Sequence, residues 1–142
     1  MSENIISGNN NCYGIFVQFI TELIVDGNSV QNFSTGMNIN DGGNYGVSSY
    51  EIINNEITNN SYRGIYGNYI NANIENNTIS DNNGDGLYLY TNFTNPREIT
   101  IQYNSIINNG DDGIDVREYL SPVVQYNDLY GNGAWDYNNY ST

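Results

Sequence analysis

Three aspartates and two arginines carry side chains suited to cleaving a sugar polymer. Asp112, Asp115 and Arg117 lie close together in the sequence, and Asp85 and Arg63 precede them. Hydrolysis of a glycosidic bond needs two carboxyl groups roughly 5 to 10 Å apart, one with a raised pKa, and Asp115 with Asp112 or Asp85 meets this need. A lyase instead needs a base beside a substrate carboxylate, for which Arg117 and Arg63 are the candidates. One hypothesis is therefore a carbohydrate-active enzyme, either a polysaccharide lyase or a glycoside hydrolase.

A second group of acidic residues resembles the opening of a calcium-binding loop. Residues 81–86 match the pattern D-x-N-x-D-G, in which alternate oxygen side chains converge on one ion. Position twelve of such a loop is Asn92 rather than Glu, but carboxylates about one repeat later could share the ion. Ca²⁺, the one cofactor considered, has these candidate ligands: Asp81, Asn83, Asp85, Asp111 and Asp112. The alternative is a solvated acidic turn without an ion.

Aromatic residues recur beside amides in segments that begin with glycine. Phe16, Tyr66 and Tyr88 each follow a Gly-apolar pair, and Tyr90 lies two residues beyond Tyr88. In an extended strand these four side chains would face away from the core. Such rings can stack on sugars while amides bond the sugar hydroxyls, so polysaccharide is a candidate partner. The alternative is that Tyr simply fits exposed strands by propensity.

A repeat of 22 to 27 residues must position all of these groups. Its marker is an asparagine followed two positions later by an apolar residue, at Asn4, Asn28, Asn55, Asn77, Asn104 and Asn127. Self-similarity at this period is typical of a solenoid, in which each unit buries its apolar side by stacking on its neighbours. We expect the marker amides to lie about 4.8 Å apart and to bond as a ladder. We also expect a left-handed bend at the marker residue itself, as at Asn55.

Each repeat contains three short stretches with alternating polarity, as in residues 51–53, 56–58 and 64–66. They are too short for helices and predict three strands per turn over about six turns. Insertions at residues 41–49 and 91–98 fall between the Gly-led strand and the next apolar strand, so we expect loops on one edge of the solenoid.

The rhythm I-x-x-N-x-I-x-x-N-N-x-x-x-G-I resembles the right-handed parallel β-helix repeats of the pectate-lyase-like superfamily. Asn-rich repeats of secreted, surface and NosD-type proteins are similar. The resemblance implies an all-β, single-stranded right-handed parallel β-helix with an Asn ladder. It covers nearly the whole chain, so residues 1–142 are expected to form one domain or a segment of a longer solenoid. Functions in this superfamily range from polysaccharide cleavage to adhesion.

Composition narrows the classes of partner. Three Arg and no Lys or His stand against sixteen acidic residues, for a net charge of −13. This charge excludes a phosphate-backbone ligand, so we expect no nucleic acid partner. No apolar stretch is long enough for membrane insertion. An acidic, Asn- and Tyr-rich surface suits an extracellular or cell-surface setting, although no signal peptide follows Met1.

The two ends of the repeat lack a segment with helical periodicity that would cap them. The tail at residues 131–137 is expected to stay turn-like, and one expectation is that Trp135 and Tyr137 fold across the end as a lid. Another is that the first turn docks on the last turn of a second copy, giving a head-to-tail filament. The leading hypothesis is thus a non-catalytic extracellular structural or surface-binding module, with enzymatic activity as the alternative.

Overall fold

The computed structural model describes residues 1–42, 48–92, 94 and 96–140, and all regular structure in these ranges is β. The strands follow the chain turn by turn. They are β1 (Ile5–Ser7) and β2 (Tyr13–Gln18); β3 (Glu22–Asp26), β4 (Ser29–Gln31) and β5 (Thr35–Asn40); β6 (Ser49–Ile53), β7 (Glu56–Thr58) and β8 (Ile65–Asn68); β9 (Ala72–Glu75), β10 (Thr78–Ser80) and β11 (Leu87–Tyr90); β12 (Ile99–Gln102), β13 (Ser105–Ile107) and β14 (Ile114–Arg117); and β15 (Val123–Gln125), β16 (Asp128–Tyr130) and β17 (Tyr137–Tyr140).

The chain forms three parallel sheets, and each turn after the first contributes one strand to each of them. The first sheet has the order β1-β4-β7-β10-β13-β16, the second β2-β5-β8-β11-β14-β17, and the third β3-β6-β9-β12-β15. Neighbours pair in parallel register, as Ile57 with Ile79 in the first sheet and Ile65 with Leu87 in the second. This topology is a parallel β-helix of about six turns, which confirms the predicted fold class. Among the described residues, no helix is long and apolar enough to cross a membrane.

The core is a stack of aliphatic side chains that point inward from all three sheets. Ile52, Ile57 and Ile65 come from one turn, one per sheet, and each is fully buried. Their equivalents in the next turn, Ile74 and Leu87 among them, are buried to the same degree. Burial of each such side chain is worth about 1.5 to 3 kcal/mol, so stacking the turns is the main source of stability.

The corner between the third and first sheets differs from the prediction. The expected bend at Asn55 is wrong: the residue before it, Asn54, has the left-handed conformation, with φ of 56°. The same holds at every other turn of this corner, at Glu3, Gly27, Asn76, Tyr103 and Tyr126, with φ between 54° and 66°. The physical reason is that a bend at the preceding residue leaves the marker asparagine directed inward, where it is 2% exposed at Asn55.

Two of these corner residues are tyrosines, which suit the left-handed conformation poorly. It costs a residue with a Cβ roughly 1 to 2 kcal/mol, and Gly and Asn tolerate it best. Tyr103 and Tyr126 stack on each other with ring centroids 5.2 Å apart. Such a stack is worth about 0.5 to 1.5 kcal/mol, which is less than two such penalties together.

The predicted asparagine ladder is confirmed along its whole length. Each marker Nδ2 donates to the Oδ1 of the marker in the next turn, from Asn4 to Asn127, at 2.9 to 3.0 Å. The backbone N–H of the same residue donates to that Oδ1 as well, at 2.9 Å from Asn55 to Asn77. The ladder therefore satisfies buried corner groups and links neighbouring turns with one side chain.

A second ladder runs along the corner between the first and second sheets. Asn60 donates to Asn82, Asn82 to Asn109 and Asn109 to Asn132, at 2.8 to 3.0 Å. The sequence shows these residues as part of the repeat but gives no reason to expect a second ladder. In the second turn Phe33 occupies this column, and its backbone N–H donates to Asn60 Oδ1 at 3.0 Å.

The chain after residue 131 also differs from the prediction. Tyr137–Tyr140 forms β17 and pairs in parallel with β14, instead of remaining turn-like. Trp135 is 62% exposed, so it does not cover the end of the core as a lid. The sixth turn is thus a regular turn of the helix, because the edge of β14 supplies a template that this segment's own residues do not indicate.

The described ends of the two insertions meet in a buried polar cluster. Arg97 Nη1 lies 3.6 Å from Asp41 Oδ2, and both side chains are almost completely buried. Ser48 Oγ donates to the same carboxylate oxygen at 3.0 Å. The Tyr50 hydroxyl lies 2.6 Å from Ile20 O and 3.2 Å from Asp41 Oδ1. Both insertions therefore leave the solenoid at the same edge, between the second and third sheets, as predicted.

Candidate functional site

The outer face of the second sheet brings together most of the residues selected from the sequence. Parallel register places Tyr66 beside Tyr88 and Tyr88 beside Asp115. Residues three positions before these, each immediately ahead of the glycine, form a neighbouring row with Arg63, Asp85 and Asp112. We call this surface the second-sheet face.

Three carboxylates converge near one end of the second-sheet face. Asp85, Asp112 and Asp115 each offer an oxygen, and these oxygens all lie within 4.8 Å of one another. All three residues are at most 4% exposed. Their closeness follows from the stacking of Gly86 on Gly113, where the Gly86 N–H donates to Asp112 O at 2.9 Å. We call this group the three-aspartate cluster.

Two arginines contact the cluster from different turns. Arg63 Nε lies 2.8 Å from Asp85 Oδ2, one turn away. Arg117 reaches back two residues, and its Nη2 lies 2.7 Å from Asp115 Oδ2. Together the three carboxylates and two guanidinium groups leave one net negative charge.

All but one of the fully buried carboxylate oxygens of the cluster have a hydrogen-bond partner among the described residues. Asp112 Oδ1 accepts from the Trp135 backbone N–H at 3.0 Å, and Asp112 Oδ2 accepts from Asn138 Nδ2 at 2.9 Å. Asp115 Oδ1 is buried and has no hydrogen-bond partner among the described residues. An unsatisfied buried acceptor costs about 1 to 3 kcal/mol or more when charged, so this oxygen is a place where a ligand would gain free energy.

Burial also affects the protonation of Asp115. It is the largest factor that raises the pKa of Asp115, and the charges of Asp85 and Asp112 act in the same direction. The hydrogen bond and charge of Arg117 oppose this rise. The pKa of neighbouring Asp111, which is largely exposed, is raised as well, first by partial loss of hydration and then by the charges of Asp85 and Asp112. The cluster thus favours an additional positive charge, whether a proton or a cation.

Tyrosine rings surround the two arginines. Tyr66 and Tyr88 stack with centroids 5.6 Å apart. The Arg63 guanidinium carbon lies 3.7 Å from the Tyr88 centroid and 4.4 Å from that of Tyr62. A groove of about 320 Å³ borders Arg63 and Tyr66 on the side away from the cluster. The face therefore joins aromatic surface, fixed charges and a concave region.

Some predicted residues lie apart from this centre. Phe16 belongs to the first turn, where it stacks on Tyr13 at 5.3 Å, three strands from Tyr88. Tyr90 contacts Tyr69 edge-on at 6.3 Å, at the far border of the face.

The predicted calcium ligands divide in a similar way. Asp85 and Asp112 belong to the cluster, whereas Asp81, Asn83 and Asp111 are exposed and outside it. Asp81 occupies the corner after β10, with φ of 56°, one residue before a ladder asparagine, whereas Asp85 lies beyond that asparagine and precedes β11. The loop motif thus identified two cluster residues, although the third is Asp115, on β14.

Sequence reasoning missed three contributors to the site. Tyr62 directly precedes Arg63, and this aromatic-arginine pair was the only weak indication in the sequence that Tyr62 belongs to the site. Asn138 and Tyr140 gave none, since their placement depends on β17; the Arg117 guanidinium carbon lies 4.1 Å from the Tyr140 ring centroid.

An ion coordinated by oxygens fits the geometry of the cluster. Ca²⁺ bonds oxygen at 2.3 to 2.6 Å, so two ligands on opposite sides of one ion are about 4.6 to 5.2 Å apart. Carboxylate oxygens within 4.8 Å of one another satisfy this limit. The unpartnered Asp115 Oδ1 is the second feature that matches a cation.

Comparison with known proteins supports the fold independently of the structure. No curated protein and no solved structure matches the chain. A family model described as "Right handed beta helix region" matches residues 1–141. That match adds the right-handed sense to the parallel topology already described. The chain therefore belongs to the right-handed β-helix family.

Proposed function

We propose that this protein is an extracellular β-helix module that binds a polysaccharide on its second-sheet face, with Ca²⁺ held by the three-aspartate cluster. The observation that carries the proposal is the convergence of Asp85, Asp112 and Asp115 beside stacked tyrosines, with Asp115 Oδ1 lacking a partner. The repeat module supplies a rigid flat strand face, and the side chains of the later turns supply the chemistry.

The aromatic part of the face supports contact with sugar rings. Tyr66 and Tyr88 are partly exposed and lie in one row along the helix axis. Rings in this arrangement offer successive apolar surfaces to a chain of sugars, whose hydroxyls can bond nearby amides such as Asn38. Arg63 orders the Tyr88 ring by lying against it.

Bound Ca²⁺ would remove the electrostatic repulsion between this acidic protein and an acidic polysaccharide. The chain has a net charge of −13, which repels polyuronates and other acidic polymers. An ion bound at the cluster reverses the sign of the local charge, because one net negative charge meets two positive ones. Ca²⁺ also supplies open coordination positions for substrate carboxylates or hydroxyls.

Titration calorimetry with CaCl₂ on metal-free protein tests the cation site. We expect saturable binding that weakens about tenfold or more in Asp115→Asn, since this substitution removes one charged ligand. Asp81→Asn is the matched control, because Asp81 lies in the loop motif but outside the cluster and Asn tolerates its left-handed backbone. No calcium binding by the wild type, or equal loss in both variants, would reject the site.

A polysaccharide array tests the glycan part. We expect the wild type to retain at least one acidic polymer in Ca²⁺, with that retention lost in EDTA and in Tyr88→Ala. Tyr130→Ala, a change of another exposed tyrosine on the first sheet, should keep it. Absence of retention on acidic and neutral polymers alike would remove the polysaccharide from the proposal.

A glycoside hydrolase is the second candidate, and the short distance between carboxylates favours it. Oxygens of Asp112 and Asp115 lie within 4.8 Å, close to the roughly 5 to 5.5 Å that separates the two carboxyl groups of retaining glycosidases. The assay is release of reducing ends from the same polymers, together with a search for unsaturated products that would indicate a lyase using Arg117 or Arg63. Products that disappear in Asp112→Asn and Asp115→Asn would establish catalysis, whereas a silent wild type would exclude it for the polymers tested.

A further inference from the structure

A second aromatic surface lies at the corner between the third and first sheets. Tyr103 and Tyr126 occupy the same corner position in successive turns and stack with an angle of 10° between their planes. Tyr103 is 51% exposed and Tyr126 is 69% exposed. Their rings therefore present a continuous aromatic surface to solvent, on a different side of the molecule from the three-aspartate cluster.

Folding of the corner does not require these rings. The same column contains Glu3, Gly27, Asn54 and Asn76 in earlier turns, with φ between 54° and 66°. Gly and Asn adopt the left-handed conformation more readily than Tyr, and the mutual stacking of the two rings offsets only part of that cost. The backbone of the corner therefore does not select tyrosine, and the two exposed rings are available for contact with a ligand.

Polar groups beside the rings are uncharged amides. Gln102 and Gln125 precede the two tyrosines, and Gln125 Nε2 donates to Gln102 Oε1 at 3.0 Å. Gln102 Nε2 donates in turn to Glu75 Oε2 at 3.1 Å. The chain fixes this row of amides parallel to the row of rings, and each amide keeps hydrogen-bonding capacity for another group.

The charge distribution indicates which ligand fits. All three arginines lie elsewhere: Arg63 and Arg117 are on the second-sheet face, and Arg97 is buried between the insertions. With Glu75 at the edge of the amide row and a net charge of −13, an acidic polymer is disfavoured. A neutral sugar matches both components, because its apolar ring face stacks on Tyr and its hydroxyls bond amides.

We propose that Tyr103, Tyr126, Gln102 and Gln125 form a second binding site, for a neutral oligosaccharide, that works without a metal ion. The chain then carries two glycan contacts of different chemistry, one dependent on Ca²⁺ and one independent of it. The second site stands apart from the proposed function, since it shares no residue with the second-sheet face.

Saturation-transfer NMR tests this site with cellohexaose, xylohexaose and mannohexaose in the presence of EDTA. We expect transfer from the wild type to at least one of the three, and about a tenfold weaker affinity in the double variant Tyr103→Asn/Tyr126→Asn. Because Asn fills this corner in two other turns, the double variant should keep or raise the melting temperature. Tyr119→Ala, a change of an exposed tyrosine that belongs to neither site, should bind as the wild type does.

Gln102→Ala/Gln125→Ala provides a second route that leaves the corner backbone intact, and we expect at least a threefold loss of affinity. The proposal is overturned if the wild type shows no transfer to any of the three sugars, or if both double variants bind as tightly as the wild type. A lower melting temperature in the Tyr variant combined with unchanged binding in the Gln variant would also overturn it, because the stack would then be structural. Capture of a second copy of the chain through these rings, seen as a doubled mass that the Tyr variant loses, would replace the sugar as ligand.

Discussion

Each ladder asparagine satisfies several buried groups at once. Asn77 Nδ2 donates to Asn104 Oδ1 at 3.0 Å and to Ile52 O at 2.8 Å. Its Oδ1 accepts from the backbone N–H and from Nδ2 of Asn55, at 2.9 and 3.0 Å. Only a side chain with a donor and an acceptor at this length can serve both neighbouring turns, which explains why the column is all asparagine.

Asn77→Ala is therefore expected to lower the free energy of unfolding by roughly 2 to 4 kcal/mol, because it leaves the backbone N–H of Asn55 without its acceptor in a buried corner. Urea denaturation measures the change. Asn76→Gly is the matched control, one residue away but exposed and left-handed, where the expected change is within about 1 kcal/mol. Similar losses in both variants would argue against a special role for the ladder.

The Tyr50 hydroxyl is expected to make stability depend on alkaline pH. Burial, followed by the charge of Asp41, raises the pKa of Tyr50 to about 12 from 10.0. Between these values the unfolded chain releases this proton and the folded chain keeps it, so stability falls as pH rises from 10 towards 12. The loss of folding stability amounts to roughly 2 kcal/mol once the pH is above the pKa of the folded protein, and there is no loss below pH 10.

Unfolding of the wild type and Tyr50→Phe at pH 9 to 12 measures this effect. The stability difference between them should shift in favour of the variant above pH 10, and other tyrosines cancel in the difference. A difference that stays constant with pH would mean that Tyr50 ionises normally.

At the scale of the strand, glycine sets how closely the turns can stack. A Cβ on Gly86 would lie 2.7 Å from Gly113 O, and one on Gly64 would lie 2.6 Å from Gly86 O. These backbone oxygens cannot move aside without breaking the strand pairs that place Asp85 and Asp112 side by side. The Gly-led segment is therefore required both for the sheet and for the three-aspartate cluster.

Gly86→Ala is expected to destabilise the fold by about 1 to 3 kcal/mol through overpacking, and to weaken Ca²⁺ binding because Asp85 shifts with it. Gly27→Asn provides the comparison. A Cβ there meets only the Glu3 side chain and backbone at 3.6 Å or more, and Asn occupies the equivalent corner in later turns. Thermal melts and calcium titrations of both variants check the prediction, which is wrong if Gly86→Ala melts with the wild type.

At the scale of the whole molecule, the ladders have a direction. Every rung donates from one turn to the next, so the first turn presents the acceptor Asn4 Oδ1 and the last turn presents donors of Asn127. Complementary ends favour head-to-tail contact over head-to-head contact. We propose on this basis that copies of the chain stack end to end, with strand pairing continued across the junction.

Analytical ultracentrifugation and electron microscopy should accordingly detect rods whose length increases with protein concentration. Asn127→Asp keeps the acceptor for Asn104 but removes the Nδ2 donor, which bonds Ile101 O and Gln125 O within the chain and would also bond the next copy. We expect this change to shift the population to single chains. Asn76→Asp makes the same chemical change away from the ladder and should still assemble. A wild type that sediments as one chain at every concentration would end the proposal.

Features that depend on a local sequence pattern could be predicted, whereas features that depend on contacts between turns could not. The recurring Asn-x-apolar pattern is local and repeats in each turn, so it was enough to predict the strands and the first ladder. The sequence did not show that the bend lies at Asn54 and not at Asn55, because both residues are asparagines. They differ in that the side chain of Asn55 points into the corner, which only the structure shows. β17 was missed because Tyr137–Tyr140 takes its conformation from pairing with β14.

By itself the sequence determined a six-turn parallel β-helix, since every turn repeats the same requirement for buried apolar groups and paired corner amides. Only the tertiary structure decided that Asp115 completes a cluster with Asp85 and Asp112, and that its Oδ1 remains without a partner. The physical reason is the register between turns. Insertions change the spacing along the chain, so contacts across neighbouring strands depend on how the turns stack and not on the number of residues between them.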